Sequence, residues 1–276
     1  MQESLRRRYL DIRQQRAGGA DLDIHKPKPI HGWRELLGEI GIIVVGVLIA
    51  LAAEQAVEWL HWRHKVAEAE DALRLELRDD DLPQAYVRAA IGNCLAARLD
   101  RIEAAVDAGQ DRQEIAALSG AFVPPIRTWD MEAWRAMLAG DVAGHMSAER
   151  AVRWSNPYRM IPRLSENNGA ELEQLAVLRA GGRRRGPPSE LERERVLVAV
   201  QHLRIANRSM ANASRVMLAG AHGAGVDMAP SGKAPILTRL RAIYGDCVVT
   251  PPPEASIRLG DPTAGLASPP PGATRP

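Results

Sequence analysis

Leu36–Leu60 reads LLGEIGIIVVGVLIALAAEQAVEWL. From Ile40 to Ala53, fourteen residues follow one another without a charge or a strongly polar group. Alone, that run falls short of the ~20 residues that a hydrocarbon core requires. The full stretch suffices when Glu39, Glu54 and Gln55 stand near the interfaces, because at ~1.5 Å per residue it covers roughly 37 Å. Trp33 precedes it, and Trp59 and Trp62 close it. About 39 Å of helix separates Trp33 from Trp59, which matches the two aromatic belts of a bilayer. The stretch predicts one membrane-spanning helix, residues 36–60.

Outward from this helix, the 276 residues (30.1 kDa) leave room for one medium domain. The formal net charge of +2 implies no polyelectrolyte partner. Aromatic residues make up only 4%, with one Phe and four Tyr, while Ala, Leu, Arg and Glu abound. That composition predicts helices rather than sheets. Residues 1–35 hold eight Lys and Arg, among them Arg6-Arg7-Arg8, and a Lys26-Pro27-Lys28-Pro29 linker. Close to the helix the charges balance, three Lys/Arg on either side. The short basic tail as a whole places the N-terminus in the cytoplasm and the following domain outside it. A competing reading takes Ala50-Leu51-Ala52 as a signal-peptidase site. The long preceding tail, and the absence of Gly or Pro between Gly46 and the site, argue against it.

No Gly or Pro occurs between Val47 and Leu82, so the helix is expected to run on to Pro83. Val66, Ala69, Leu73 and Leu77 share one face of it. Ile91, Leu95, Leu99, Ile102 and Val106 form the stripe of a second helix, residues 84–108, and Pro83 predicts a hairpin between the two. Thr128 and Ser147 read as N-caps of two further helices, the second interrupted by Pro157 and Pro162. A helix from Glu171 ends before Gly181-Gly182. Ser189 and Glu192 form a capping box. Val196, Val200, Leu203, Asn207, Met210, Ser214 and Met217 then continue at 4,3 spacing to Gly220. Residues 221–235 read as a Gly/Pro linker, and Ile236–Tyr244 as a short last helix. From Thr250 the chain is Pro-rich, which predicts a disordered tail over residues 249–276.

Few residues stand out chemically. Glu39, Gly46, Ala50 and Val57 lie within about 20° of one line on a helical wheel, with Ala53 and Glu54 close by. Gly46 and Ala50 are a small-xxx-small pair, the pattern that lets membrane helices approach. The face Glu39, Gly46, Ala50, Ala53 and Glu54 is therefore the candidate association surface. The alternatives are carboxylates resting at the interface, or proton and ion handling. Outside the cytoplasm Cys94 and Cys247 can form one disulfide; the alternative is two separate buried thiols acting as small apolar residues. His61, His64 and Glu68 lack a further ligand, and they read as interfacial residues rather than a metal site. Arg183-Arg184-Arg185 reads as a solvated loop. Ser231-Gly232-Lys233 lacks the glycine spacing of a phosphate loop, and the sequons at Asn207 and Asn212 fall inside a helix. No nucleophile-elbow, zincin or paired-cysteine motif is present.

Residues 26–65 carry Gly38, Glu39, Ile40, Ile42, Ile43, Val44, Gly46, Val47, Leu48, Ile49, Ala50 and Leu51 in a G-E-I-x-I-I-V-x-G-V-L-I-A-L pattern. This element resembles that of a group of uncharacterised bacterial single-span membrane proteins with a helical domain behind it. The stretch Trp129–Gly140, WDMEAWRAMLAG, is similar to a second segment of that group. The resemblance implies a bitopic membrane protein and supplies no catalytic residue.

The expectation is thus an all-α protein: a basic cytoplasmic tail (1–35), a transmembrane helix (36–60), an extracytoplasmic antiparallel helical bundle (61–248) and a Pro-rich tail (249–276). Its expected partners are the lipid bilayer of the inner membrane and either a second copy or a partner membrane protein. No nucleic acid, cofactor or metal is expected. The expected role is a non-enzymatic interaction, scaffolding or signal-input module. Two rivals stand beside it: a membrane-anchored exported hydrolase or ligand-binding protein, and a cytoplasmic domain whose Arg183–Arg185 loop meets nucleic acid.

Overall fold

The computed structural model describes residues 32–180 and 185–252. The basic tail before Gly32, Arg183, Arg184 and the chain from Pro253 onward lie outside the described residues. Of those described, 81% are helical and none is in a strand. The chain divides into two units between Glu58 and Trp59.

Helix α1, Trp33–Glu76, contains the whole apolar run, and it is long and apolar enough to cross a membrane. In the first unit its side chains from Leu37 to Glu58 stand exposed, Ile42 to 76%. In the second unit the same helix buries Val66 and Leu73 in the core.

The expected hairpin at Pro83 is not formed. Glu76, Asp81 and Leu82 all keep right-handed helical backbone angles. A π-helical turn, Leu77–Asp81, joins α1 to α2, Leu82–Asp107. A proline has no N–H, and its ring collides with the carbonyl four residues back in an α-helix. The wider turn, in which the Leu82 N–H donates to the Leu77 carbonyl, takes up that conflict without reversing the chain.

Among the described residues, five shorter α-helices and one long one follow: α3 (Arg112–Ala121), α4 (Glu132–Ala139), α5 (Ala148–Tyr158), α6 (Ile161–Ala180), α7 (Glu190–Gly223) and α8 (Pro230–Tyr244), with a 3-10 turn, Val142–His145, between α4 and α5. The stripe Ile91, Leu95, Leu99, Ile102 and Val106 is fully buried on α2. It packs on α7, whose Val200, Leu203, Asn207, Met210, Ser214 and Met217 are buried as their spacing predicts. The pairing is antiparallel: Asn207 meets Gly92 at one end, and Arg204 and Gln201 meet Glu103 at the other. Helix α6 flanks α7 in the same sense, with Asn167 bonded to Ser209 at one end.

The Ser189–Glu192 capping box and the Ser147 cap both form. Thr128 caps nothing: α4 starts at Glu132, with Met131 as its N-cap. Residues 221–235 are not all linker, because α8 begins at Pro230 and carries Pro235 inside. Proline suits the first turn, where its missing N–H costs nothing. Arg98 ties two helix ends together, donating to the carbonyls of Ala121 (2.8 Å) and Ile243 (3.3 Å).

Gly220 of α7 is set by contact. A Cβ there would stand 3.0 Å from the Pro157 nitrogen and 3.2 Å from the Asn156 carbonyl carbon, both backbone atoms of α5. Backbone cannot swing aside as a side chain can. Gly220→Ala is expected to cost ~1–3 kcal/mol in chemical denaturation. Gly223→Ala, with open space around its site, is the matched control.

Candidate functional site

The candidate association face stays on the surface: Glu39, Gly46, Ala50, Ala53 and Glu54 are all exposed on α1. A Cβ added at Gly46 meets nothing within 4 Å. The cysteines are brought together. Cys94 of α2 and Cys247 are bonded, with Cα atoms 5.1 Å apart, across 153 residues of chain. The Val249 N–H, donating to the Ala90 carbonyl at 3.1 Å, holds the same end of the chain. His61 and His64 are exposed, and His61 meets Trp62 edge-on. Trp62 stacks on His145, with ring centroids 3.5 Å apart. Among the described residues no three His, Cys, Asp or Glu side chains gather as a metal site. Asn207 is buried and donates to the Gly92 carbonyl at 2.9 Å, so that sequon is closed to modification.

The densest buried chemistry lies around the π turn, and it holds one irregular segment. Residues 122–131 have no regular structure, so their backbone groups need partners from elsewhere. Three helices send one side chain each. Asp81 accepts from the Asp130 N–H (3.2 Å), Asn168 donates to the Arg127 carbonyl (2.6 Å), and the Tyr244 hydroxyl of α8 donates to the Val123 carbonyl (2.9 Å). Just past the segment, Glu76 accepts from the Ala133 N–H (2.8 Å). The Glu76 carboxylate also faces the start of α4, where bare N–H groups favour negative charge.

Asp81 is fully buried. Burial, with the nearby charges of Glu76, Asp130 and Asp80, pushes its pKa up to about 8, against one opposing hydrogen bond from Asp130. It is therefore mostly protonated at neutral pH. Burial, and then Glu76, raise the Tyr158 hydroxyl as well. Further along α1, Glu70 is the opposite case. Burial pushes its pKa up, but hydrogen bonds from Arg150 and Trp154 and the charge of Arg74 outweigh it, so Glu70 stays ionised below the usual range. Trp154 donates to it at 2.9 Å, and Arg150 adds a two-pronged contact.

Beside the π turn a cleft of about 340 Å³ is lined by Asp79, Asp80, Gln84, Arg88, Arg127 and Trp129, among others. Arg88 is only 2% exposed and donates to Glu171 of α6 at 2.5 Å, itself fully buried. Burial raises the Glu171 pKa, while the Arg88 charge opposes that rise. The pair leaves much unsatisfied. Arg88 Nε and Nη1, Glu171 Oε2, the Trp129 indole Nε1 and Gln84 Oε1 are buried without a partner. Each such group costs about 1–3 kcal/mol if nothing meets it. A larger groove, about 980 Å³, passes Val177, Leu191, Val198 and His202 between α6 and α7. None of its described lining residues holds a buried unpartnered polar atom.

Sequence reasoning missed Arg88, Glu171, Asp81 and Trp129, although a signal was present. Leu164, Asn168, Glu171, Leu175 and Leu178 repeat at 4,3 spacing, so Asn168 and Glu171 occupy core slots of α6. Ala85, Arg88, Ile91 and Leu95 place an arginine on the buried stripe of α2 in the same way. A charge in a core slot points to a buried partner. No protein-family model matches this chain, and neither a curated protein nor a solved structure is similar to it.

Proposed function

We propose that this chain is a single-pass protein of the bacterial inner membrane, of the uncharacterised single-span group that its G-E-I element resembles. On this reading the N-terminal tail is cytoplasmic, and the helical domain faces outward as an interaction, scaffolding or signal-input module. The observation that carries it is the exposed run from Ile40 to Leu51 on α1. So large an apolar surface calls for lipid or another helix around it. The Cys94–Cys247 bond supports the outward side, because disulfides persist in oxidising compartments. Within the bilayer, Gly46 and Ala50 allow close backbone approach to a second copy or a partner span, and Glu39 adds a polar contact when protonated or paired.

A second reading, a membrane-anchored ligand-binding protein, is favoured by the cleft at Arg88 and Trp129. It is compatible with signal input, since a bound ligand is one form of signal. Gly46→Ile is expected to weaken association in a membrane reporter assay by a graded amount, ~1 kcal/mol per lost contact. Val45→Ile, about 100° away on the wheel, leaves it unchanged. Equal association of both variants with wild type removes the association role. Reporter fusions at the C-terminus read the side, and activity of a cytoplasm-only reporter overturns the outward placement.

A further inference from the structure

We propose that the cleft beside the π turn is a binding site for a small zwitterion of the α-amino-acid class. The inference concerns the helical domain and goes beyond membrane anchoring and self-association. It starts from unmet hydrogen-bonding capacity. Arg88, 98% buried, lines the cleft and has two guanidinium nitrogens without a partner. Trp129, 91% buried, lines it too and has a free indole N–H. Native proteins satisfy nearly all such groups, and those left over mark places where a water, ion or ligand belongs. Donors from a guanidinium edge and an indole suit a carboxylate.

The rest of the lining decides against a simple anion. Glu171 already neutralises Arg88, and Asp79 and Asp80 line the same cleft against one further cation, Arg127. Asp79 is held by Arg78, so the charges around the cleft balance, and a bare carboxylate entering there brings an uncompensated charge. A group carrying its own ammonium does not. Gln84 Oε1 is a buried acceptor without a partner, and Asp80 adds a carboxylate; Asp79 is already paired with Arg78 at 2.9 Å. Ligand carboxylate toward Arg88 and Trp129, and ligand ammonium toward Gln84 and Asp80, satisfies donors and acceptors together. A volume of about 340 Å³ lies within the range of small-molecule sites.

The test uses the full-length protein in lipid nanodiscs, with thermal unfolding and calorimetry against each of the twenty common L-amino acids. Acetate and methylammonium serve as half-ligands. At least one amino acid is expected to bind saturably and raise the unfolding temperature, while neither half-ligand does so at equal concentration. Trp129→Phe removes the indole N–H together with the five-membered ring, so the ligand-free protein is expected to unfold at a somewhat lower temperature. Binding is expected to weaken by roughly tenfold or more, the worth of a hydrogen bond to a charged group. Asp80→Asn, at an exposed position, is expected to weaken the same ligand, whereas Asp107→Asn on the far end of α2 is not. Absence of saturable binding by any amino acid overturns the proposal, as does acetate binding as tightly. Unchanged affinity in a folded Trp129→Phe protein overturns it equally.

Discussion

Arg88→Met or Glu171→Leu alone is expected to destabilise the helical domain by ~3–5 kcal/mol, because either change strands one buried charge. Arg88 is 2% exposed and Glu171 not at all, so bulk water solvates the stranded charge poorly. At roughly 2–4 °C per kcal/mol for a domain of this size, the unfolding temperature falls by about 10 °C. The double variant Arg88→Met with Glu171→Leu is expected to regain most of that loss. An apolar pair of similar volume escapes the desolvation cost of both ions and abolishes the unpartnered Arg88 and Glu171 atoms. Thermal unfolding of the two single variants and the double closes the cycle. Single variants within ~0.5 kcal/mol of wild type, the range of ordinary surface changes, would show that the pair does not form.

Asp81→Asn is expected to stabilise the domain increasingly as pH rises from about 4 to about 8. The carboxyl titrates near 3.8 in an ordinary setting and near 8 in the fold. Between those values the folded chain binds more protons than the unfolded one, so stability falls as pH rises, by up to about 1.4 kcal/mol per unit. Asparagine keeps an oxygen for the Asp130 N–H and has no charge to bury. Below pH 4 wild type and variant should unfold alike. At pH 8 the variant leads by an amount on the order of a few kcal/mol. Glu70, held ionised by Arg150 and Trp154, supplies the opposite trend in both proteins: its contribution is present above its ordinary pKa and is lost at acid pH. The difference between variant and wild type therefore isolates Asp81. A difference independent of pH would mean that Asp81 is ionised in the fold, with a partner for its second oxygen.

The amino-acid order alone determined the features that rest on local periodicity. The apolar run of α1, the stripe Ile91–Val106 and the 4,3 seam from Val200 to Met217 were legible because a helix repeats every 3.6 residues whatever surrounds it. The Ser147 cap and the Ser189–Glu192 box were legible because their partners sit three residues away. Tertiary structure decided the rest. Pro83 reads as a breaker, yet a π turn carries the helix past it, and Leu77 and Leu82 are buried on either side. Thr128 reads as a cap, but the start of α4 is held by Glu76, fifty-seven residues earlier. The cleft joins α2 to residues 122–131, and its buried pair joins α2 to α6 across eighty-three residues. Local pattern reports which face of a helix is apolar. It does not report which distant side chain will meet a charge placed on that face, because that meeting is fixed by packing of the whole domain.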